Sequence, residues 1–195
     1  MSGPLAGIRV LDLSSVVMGP WATHVLADYG ADVILVESPE GDIMRRAGAK
    51  RHATMGSAFM HGARNTRSIA LDLKNDAGRA ALLELVATAD VFVHNVRAAA
   101  MQRLRLTYDV VARANPRIVY ASLVGYGRNG PYASRPAYDD LIQGASGLAS
   151  TFAMAGAEPR YVPALVVDRT AGIAAATAIL AALVERSRTG VGRSL

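Results

Sequence analysis

One carboxylate in this sequence stands where a chemically active side chain is expected. Asp168 follows a short apolar run, residues 161–167, and precedes a long Ala-rich segment that predicts a helix beginning near Thr170. A junction between a strand and a helix places a side chain at the mouth of a sheet, and the partial positive charge of a helix N-terminus favours an ionised, nucleophilic carboxylate. Asp is also a preferred N-cap residue. Position alone leaves both roles open, and capping is the more common.

Other familiar catalytic sites have little support in the residues present. The sequence contains no cysteine, which excludes disulfides and thiolate catalysis, and its four histidines are scattered, so we expect no metal site. The first predicted turn, residues 13–20, is not a G-x-G-x-x-G loop, and no G-x-x-x-x-G-K-S/T or G-x-S-x-G motif occurs. These observations disfavour a nicotinamide enzyme, a nucleoside triphosphatase and a serine hydrolase.

Length and composition are those of one globular domain. The chain has 195 residues, of which 51% are hydrophobic and 19% charged, enough for a substantial core. The first residues lack a basic segment followed by a long apolar stretch, so we expect no secretion signal and a cytoplasmic protein. The longest uncharged run, residues 170–184, is too short and too rich in small residues for a membrane span, and it predicts a helix buried in a protein core.

The positive charge of the chain is carried almost entirely by arginine. The formal net charge is +5, and only Lys50 and Lys74 are lysines. Arginine favours planar, bidentate contacts with phosphate or carboxylate, so an anionic ligand fits this balance. Genome composition alone would also explain abundant Arg and Ala. The basic residues form no dense block with interleaved aromatic residues, so we do not expect nucleic acid as a partner.

Strand and helix patterns alternate along the chain. A weakly periodic polar stretch spans residues 38–67, and a loop rich in Gly, Pro and Ser spans residues 125–136. The pattern predicts an α/β fold with a mainly parallel, Rossmann-like sheet, covered by helices on both faces, that binds ligands at the carboxyl ends of its strands. The predicted strands are 8–13, 32–37, 68–73, 90–94 and 117–124, and the predicted helices are 21–29, 77–87, 98–104 and 108–114.

Ordered motifs run through essentially the whole chain. They include P-L-A-G-I-R-V-L-D-L at 4–13, L-A-D-Y-G-A-D-V-I at 26–34, N-T-R-S-I-A-L-D-L-K at 65–74, N-P-R-I-V-Y at 115–120 and T-G-V-G-R at 189–193. Together they resemble the family III CoA-transferases, which include formyl-CoA and carnitine CoA-transferases and the related 2-methylacyl-CoA racemases. The number of ordered matches makes this resemblance specific.

The resemblance implies a covalent role for Asp168. Its carboxylate would attack an acyl-CoA thioester to give a mixed anhydride, and the released CoA thiolate would convert that anhydride to an aspartyl-CoA thioester. An acceptor carboxylate would then open the thioester, and the returning thiolate would complete the transfer of CoA. A covalent carboxylate intermediate retains the energy of the thioester and divides one difficult exchange into easier steps. Water must be kept out because an anhydride hydrolyses readily.

The resemblance also implies contacts with coenzyme A, as a substrate and not as a permanently bound cofactor. Lys74 and Arg103 match basic positions of the family, and Val16, Leu71 and Asn95 match positions that flank the nucleotide. Without the resemblance, Lys74 and Arg103 would be read as solvated surface charges and Val16 and Leu71 as core residues. Asn95 would simply end a strand.

Tyr138 decides between two branches of the family. The racemases carry a His beside an Asp after the Gly-Pro-Tyr loop, because moving a proton between two faces of a carbon needs two acid/base groups. This chain has Tyr138 beside Asp139, which favours a transferase over a racemase. Tyr138 is then expected to line the acyl pocket, and the alternative is a packed tyrosine with a hydrogen-bonded hydroxyl. Val17 replaces a Gln of the formyl-CoA branch, which disfavours formate and oxalate.

The resemblance carries a further expectation about domain organisation. Family members are longer than this chain and form interlinked dimers, so residues 1–195 would be the N-terminal part of the large domain of a homodimer. The small domain and the C-terminal return to the large domain would be absent. Such a half would expose apolar surface and associate with other chains. A catalytically silent CoA-binding fragment is therefore an alternative to an active transferase acting on an acyl-CoA and a carboxylic acid.

Overall fold

The computed structural model describes residues 2–127 and 129–195 of the chain. Within these residues, two 3-10 helices, Ile43–Arg46 and Leu148–Ser150, accompany the regular elements. The strands are β1 Arg9–Leu13, β2 Asp32–Glu37, β3 Thr66–Ala70, β4 Val91–His94, β5 Val119–Ser122 and β6 Arg193–Ser194. The α-helices are α1 Met18–Asp28, α2 Ser57–Gly62, α3 Asp76–Ala87, α4 Ala98–Leu104, α5 Tyr108–Ala114, α6 Asp139–Ala145, α7 Thr151–Met154 and α8 Val166–Thr189.

The described strands form one parallel sheet in the order β3-β2-β1-β4-β5-β6. β1 lies at the centre and pairs with β2 on one side and β4 on the other. The chain therefore moves outward in one direction to β3 and then returns to start again at β4. In open α/β sheets, ligands bind outside the carboxyl ends of the strands at such a reversal. The predicted parallel, Rossmann-like sheet is confirmed.

The two faces of the sheet bury separate apolar clusters. Neighbouring strand residues point to opposite faces, so Val10 packs toward α1 and α8, whereas Leu11 packs toward α3, α4 and α5. Both residues are fully buried. Helices therefore cover both faces, as predicted, and the inner strands β2, β1, β4 and β5 are mostly buried, whereas β3 and β6 at the two sides of the sheet are polar and largely exposed.

Several boundaries differ from the prediction for local reasons. β3 ends at Ala70 and not at residue 73, because the Asp72 side chain accepts the backbone N–H of Lys74 and turns the chain toward α3. Helix α1 begins at Met18, three residues early, and includes Pro20 in its first turn, where a missing N–H costs nothing. β5 is the four residues Val119–Ser122.

Short elements were missed where the sequence has little periodicity. The stretch 38–67 contains a 3-10 helix and α2, and α6 follows the Gly/Pro-rich loop. Turns and bends make up most of the predicted loop 125–136, of which residue 128 lies outside the described residues. These elements are seven residues or fewer, too short for an apolar pattern to repeat.

The longest helix, α8, corrects the prediction around the apolar run 161–167. Residues 161–165 are irregular, and α8 begins at Val166, so there is no strand-to-helix junction before Asp168. One face of α8 is buried against α1, but Ile173 and Val184 on the other face are more than half exposed. The helix is thus only partly a core helix.

By length and composition alone, α8 is apolar enough to cross a membrane. A single helix of this kind is weak evidence, because the core helix of a soluble protein passes the same test. α8 also carries Asp168, Arg169 and Arg186 within its span. Arg186 is buried and forms an ion pair with Asp90, the residue before β4.

Candidate active site

The turn between β1 and α1 is held in a strained conformation. Val16 has a φ of 72°, a left-handed value that a β-branched residue rarely adopts. The side chain of Asn95, directly after β4, forms two hydrogen bonds with the backbone of Ser15, the residue before Val16. Its Oδ1 accepts the N–H of Ser15 at 3.1 Å, and its Nδ2 donates to the carbonyl of Ser15 at 2.7 Å. Val16 and Asp42 line the same small cavity beside this turn.

These contacts bring two of the sequence-predicted residues together. Val16 follows β1 and Asn95 follows β4, and these two strands are the neighbours at which the chain order reverses. Asn95 therefore does more than end a strand, because its amide connects the end of β4 to the turn between β1 and α1. Val16 is 47% exposed, so its interpretation as a core residue is wrong. Strain of this kind persists only where surrounding contacts determine it, and it clusters at functional sites.

Leu71 and Lys74 follow β3 and lie farther along the edge of the sheet formed by the carboxyl ends of the strands. The backbone N–H of Leu71 donates to the carbonyl of Glu37, the last residue of β2, at 2.8 Å. Lys74 follows in an exposed turn. Since parallel strands lie about 4.8 Å apart, the ends of β3, β2, β1 and β4 span roughly 14 Å. The structure thus aligns Leu71, Val16 and Asn95 along one edge.

A buried carboxylate supports the turn from below. Asp12 of β1 is 1% exposed and accepts hydrogen bonds from the backbone and hydroxyl of Ser14 and from the hydroxyl of Thr23. Burial raises the pKa of Asp12 to about 6, although the hydrogen bonds oppose that rise. The network connects β1, the turn and α1 through polar groups that water does not reach. No periodic pattern of residues signals this network in advance.

A second buried carboxylate, Glu37, anchors the loop that lies beside the Val16 turn. Glu37 forms a bidentate ion pair with Arg45, with donor–acceptor distances of 2.6 and 2.5 Å, and accepts the backbone N–H of Asp42 at 2.7 Å. Burial raises the pKa of Glu37, but the hydrogen bonds from Arg45, Ser68 and the backbone of Asp42, with the charge of Arg45, together outweigh it and bring the pKa to about 2. Glu37 is therefore ionised and fixes the loop that carries Asp42.

Asp168 is the third residue of α8 and does not cap it. The N-cap residue is Leu165, whose side chain has no acceptor, and the backbone N–H of Asp168 instead donates to Oδ2 of Asp139 at 2.9 Å. The capping carboxylate thus comes from α6. Burial raises the pKa of Asp168, and the charge of Asp139 adds to the rise. The pKa of Asp168 is therefore shifted in the direction opposite to the one that a helix N-terminus alone would produce.

Close packing of α8 on α1 sets the position of Asp168. A Cβ at Gly172 would lie 2.8 Å from the carbonyl oxygen of Met18, so a glycine permits this approach. Asp168 lies one helical turn before Gly172, and its neighbour Arg169 stacks on the ring of Trp21 with the guanidinium carbon 4.9 Å from the ring centre. The first turn of α8 therefore lies beside the first turn of α1, directly after the Val16 turn.

In the part of the chain that the structure describes, two predicted residues make no hydrogen bond or ring contact with this arrangement. Arg103 is exposed in the last turn of α4. Tyr138 precedes α6 and is 63% exposed, so the alternative of a packed tyrosine is wrong. Its neighbour Asp139 is the buried member of that pair. Residues missed at the sequence level are Asp12, Asp42 and Gln143, whose roles depend on tertiary contacts.

The enclosed space at this edge is small. A cavity of about 20 Å³ lies beneath the turn, lined by Val16, Leu35, Asp42 and Phe59 among others, and it has room for about one water molecule. This cavity alone is too small for a ligand much larger than water. Among the described residues, no group of three His, Cys, Asp or Glu side chains is placed to hold a metal ion.

The fold and the residues at the carboxyl ends of its strands define an α/β protein. It has a carboxylate beside a crevice at the point where the strand order reverses. The sequence signature described as CoA-transferase family III matches residues 5–195. The chain belongs to this family.

Individual relatives agree with this assignment. The chain is 39% identical to the succinate–glutarate CoA-transferase of Agrobacterium fabrum, over 98% of the chain and 50% of that protein. It is 40% identical to the formyl-CoA:oxalate CoA-transferase of Streptomyces avermitilis, over 99% of the chain and 47% of that protein. A solved CAIB/BAIF family protein from Brucella suis superposes with a TM-score of 0.94 at 36% identity, over 100% of the chain and 53% of that structure. The chain spans about half the length of these relatives.

Proposed function

We propose that this protein takes part in transfer of coenzyme A from an acyl-CoA donor to a carboxylic acid acceptor, with Asp168 as the nucleophile. The observation that carries the proposal is the setting of Asp168, a half-buried carboxylate in the first turn of α8 beside the strained Val16 turn. Partial burial strips water from a carboxylate and makes it a better nucleophile once it is ionised. Relatives named as CoA-transferases support the same reaction class.

The proposed chemistry proceeds through two covalent states of Asp168. A side-chain oxygen of Asp168 attacks the thioester carbonyl, the C–S bond breaks, and CoA leaves as a thiolate from a mixed anhydride. The thiolate then attacks the carbonyl of Asp168, forming aspartyl-CoA thioester and releasing the donor acid with one oxygen from Asp168. The acceptor carboxylate attacks this thioester to form a second anhydride. The returning thiolate attacks the acceptor carbonyl, giving the new acyl-CoA and free Asp168.

The proposed position of coenzyme A is along the carboxyl edge of the sheet. Val16, Leu71 and Asn95 lie in a row there, and Lys74 is exposed at the end of the row, where it can meet a phosphate. Asn95 would contribute mainly through the turn that it holds, since both ends of its amide already bind Ser15.

We further propose a dicarboxylic acid such as succinate or glutarate as the acceptor. Relatives named for succinate–glutarate or succinyl-CoA:glutarate CoA-transfer support this choice. Val17, directly before α1, offers an apolar side chain that suits a longer acid better than formate or oxalate. The proposed setting is a cytoplasmic homodimer without a membrane or nucleic-acid partner. Residues 1–195 would contribute the N-terminal part of its large domain.

A trapping experiment tests the proposed function. The protein is incubated with succinyl-CoA, digested and analysed by mass spectrometry, with and without hydroxylamine. We expect a hydroxylamine-sensitive adduct on the peptide that contains Asp168, and no adduct in Asp168→Asn. Asp140→Asn, which alters an exposed carboxylate of α6, serves as the control and should retain the adduct.

The same experiment separates the competing functions. CoA binding without an adduct would indicate a catalytically silent module and would contradict the proposal. Solvent deuterium entering the α-carbon of a 2-methylacyl-CoA would indicate a racemase. The exposed Tyr138 has a hydroxyl in place of the second acid/base group that racemisation requires, so we expect no such exchange.

A further inference from the structure

One buried glutamine of α6 contacts the segment that leads directly into α8, the helix that carries Asp168. Gln143 of α6 is 2% exposed. Its Nε2 donates to Oδ1 of Asp139 at 2.6 Å and to the carbonyl of Val162 at 3.3 Å, and its Oε1 accepts the backbone N–H of Val162 at 2.8 Å. The carbonyl of Ala164 lies 3.5 Å from the same Nε2. The amide is thus satisfied on both sides by partners on two different segments.

The contacts of Gln143 matter because the segment before α8 has no regular structure. Residues 160–165 form neither helix nor strand, so the side chain of Gln143 replaces a ladder partner for Val162. Removing that partner would leave the part-buried N–H of Val162 without its hydrogen bond, which costs more than the bond itself contributed. The path of the chain into α8 is therefore fixed from α6.

Asp139 completes the connection. Its two carboxylate oxygens are divided between two donors, Gln143 on Oδ1 and the backbone N–H of Asp168 on Oδ2. The spacing of four residues places Asp139 and Gln143 on one face of α6. A hydrogen bond from Gln143 orients the Asp139 carboxylate, and that carboxylate caps the first turn of α8 in place of Leu165, which has no side-chain acceptor.

We propose that Gln143 is a positioning residue for Asp168, acting through Asp139 and through the segment Val162–Ala164 to fix the first turn of α8. The inference rests on the proposed nucleophilic role of Asp168 and names the group that holds it in place. Gln143 touches no substrate. Its loss would leave the binding of acyl-CoA intact and slow the attack of the carboxylate, because a misplacement of about 1 Å can cost about a hundredfold in rate.

The test compares Gln143→Leu with the wild type and with Gln102→Leu. Gln102 is the only other glutamine in the sequence and is exposed on α4, so it controls for the loss of an amide. The rate constant of adduct formation with succinyl-CoA should fall roughly 10- to 100-fold in Gln143→Leu, whereas the dissociation constant of CoA should stay within about twofold of the wild-type value. An unchanged adduct rate, or a loss of CoA binding of the same size, would overturn the proposal.

Gln143→Glu separates positioning from general stability. The ionised side chain can accept the N–H of Val162 but cannot donate to Asp139, whereas the protonated side chain has one donor again. The ratio of the adduct rates of Gln143→Glu and wild type should therefore rise as the pH falls. A constant ratio would indicate a merely structural role and would contradict the proposal.

Hydrogen exchange gives a readout that does not depend on catalysis. In Gln143→Leu, the backbone N–H groups of Val162 and Asp168 should exchange about tenfold faster or more, while those of β1 and β4 keep the wild-type rate. Unchanged exchange at Val162 and Asp168 would overturn the proposal. If the wild type forms no adduct with succinyl-CoA but the exchange pattern appears, the proposed function fails while the positioning contact stands.

Discussion

At the scale of single residues, the behaviour of Asp168 depends on its partial burial and on the charge of its neighbour Asp139. Sequence position indicates a carboxylate near a helix N-terminus, but the capping group is Asp139, 29 positions earlier in the chain. A helix start can be recognised from the sequence, whereas an acceptor that arrives from another helix leaves no local signal. The nucleophile candidate was thus predictable, and its electrostatic setting was not.

Removing that neighbouring charge should change the pH dependence of the proposed reaction. Burial and the charge of Asp139 both raise the pKa of Asp168, and only the ionised form attacks a thioester, so the rate of adduct formation falls as the pH drops through that pKa. In Asp139→Asn the pKa of Asp168 should decrease and the acid limb should move to lower pH. The measurement is the adduct rate against pH with Asp140→Asn as control. An acid limb that stays in place or moves to higher pH would refute the assignment.

At the scale of elements, apolar runs predicted the sheet well and polar contacts decided where its strands end. The strands β1, β2 and β4 were predicted to within a residue because both of their faces are buried. The run 161–167 has the same apolar character but contains Pro163, which has no N–H for a strand ladder. The backbone N–H of Val162, the residue before it, donates to the side chain of Gln143 instead of to a neighbouring strand. Hydrophobicity alone does not distinguish these cases.

The ion pair of Glu37 and Arg45 should be important for the edge of β2. Glu37 has a side chain only 3% exposed, so Arg45→Met leaves a buried charge and should lower the free energy of unfolding by about 3–5 kcal/mol at neutral pH. Arg67→Met removes an exposed partner of Asp32 and should cost about 1 kcal/mol or less. Urea denaturation measures both.

The loss of unfolding free energy in Arg45→Met should depend on pH in a defined direction. The pKa of Glu37 is lowered from 4.5 to about 2 in the folded protein, so its stabilising contribution is complete above pH 4.5 and disappears as the pH falls toward 2. The difference between wild type and Arg45→Met should therefore shrink across that range. A difference that is independent of pH would show that Arg45 acts by packing and not by pairing with Glu37.

At the scale of the whole molecule, one face of α8 has no partner within the described residues. Ile173 and Val184 are 53% and 59% exposed, and exposed alanines lie between them on the same side. The expectation that a chain half the length of its relatives exposes apolar surface follows from comparison of lengths. Which helix provides that surface required the structure, because the sequence suggested that residues 170–184 are buried throughout.

This face should make the chain associate with itself. The double variant Ile173→Glu with Val184→Glu should lower the average mass in sedimentation velocity, and Ser187→Glu, an exposed polar position on the same helix, should not. Both variants should keep the circular dichroism of the wild type because the altered side chains are exposed. A wild-type chain that stays monomeric at all concentrations would contradict the prediction.

The central claim, that CoA passes through a covalent state on Asp168, is tested most directly by following oxygen. The protein is supplied with succinyl-CoA and with glutarate whose carboxylates carry ¹⁸O, and the peptide containing Asp168 is weighed after turnover. The mechanism predicts that one ¹⁸O from glutarate remains in the side chain of Asp168 when glutaryl-CoA forms. Glutaryl-CoA produced while Asp168 stays free of ¹⁸O would contradict it.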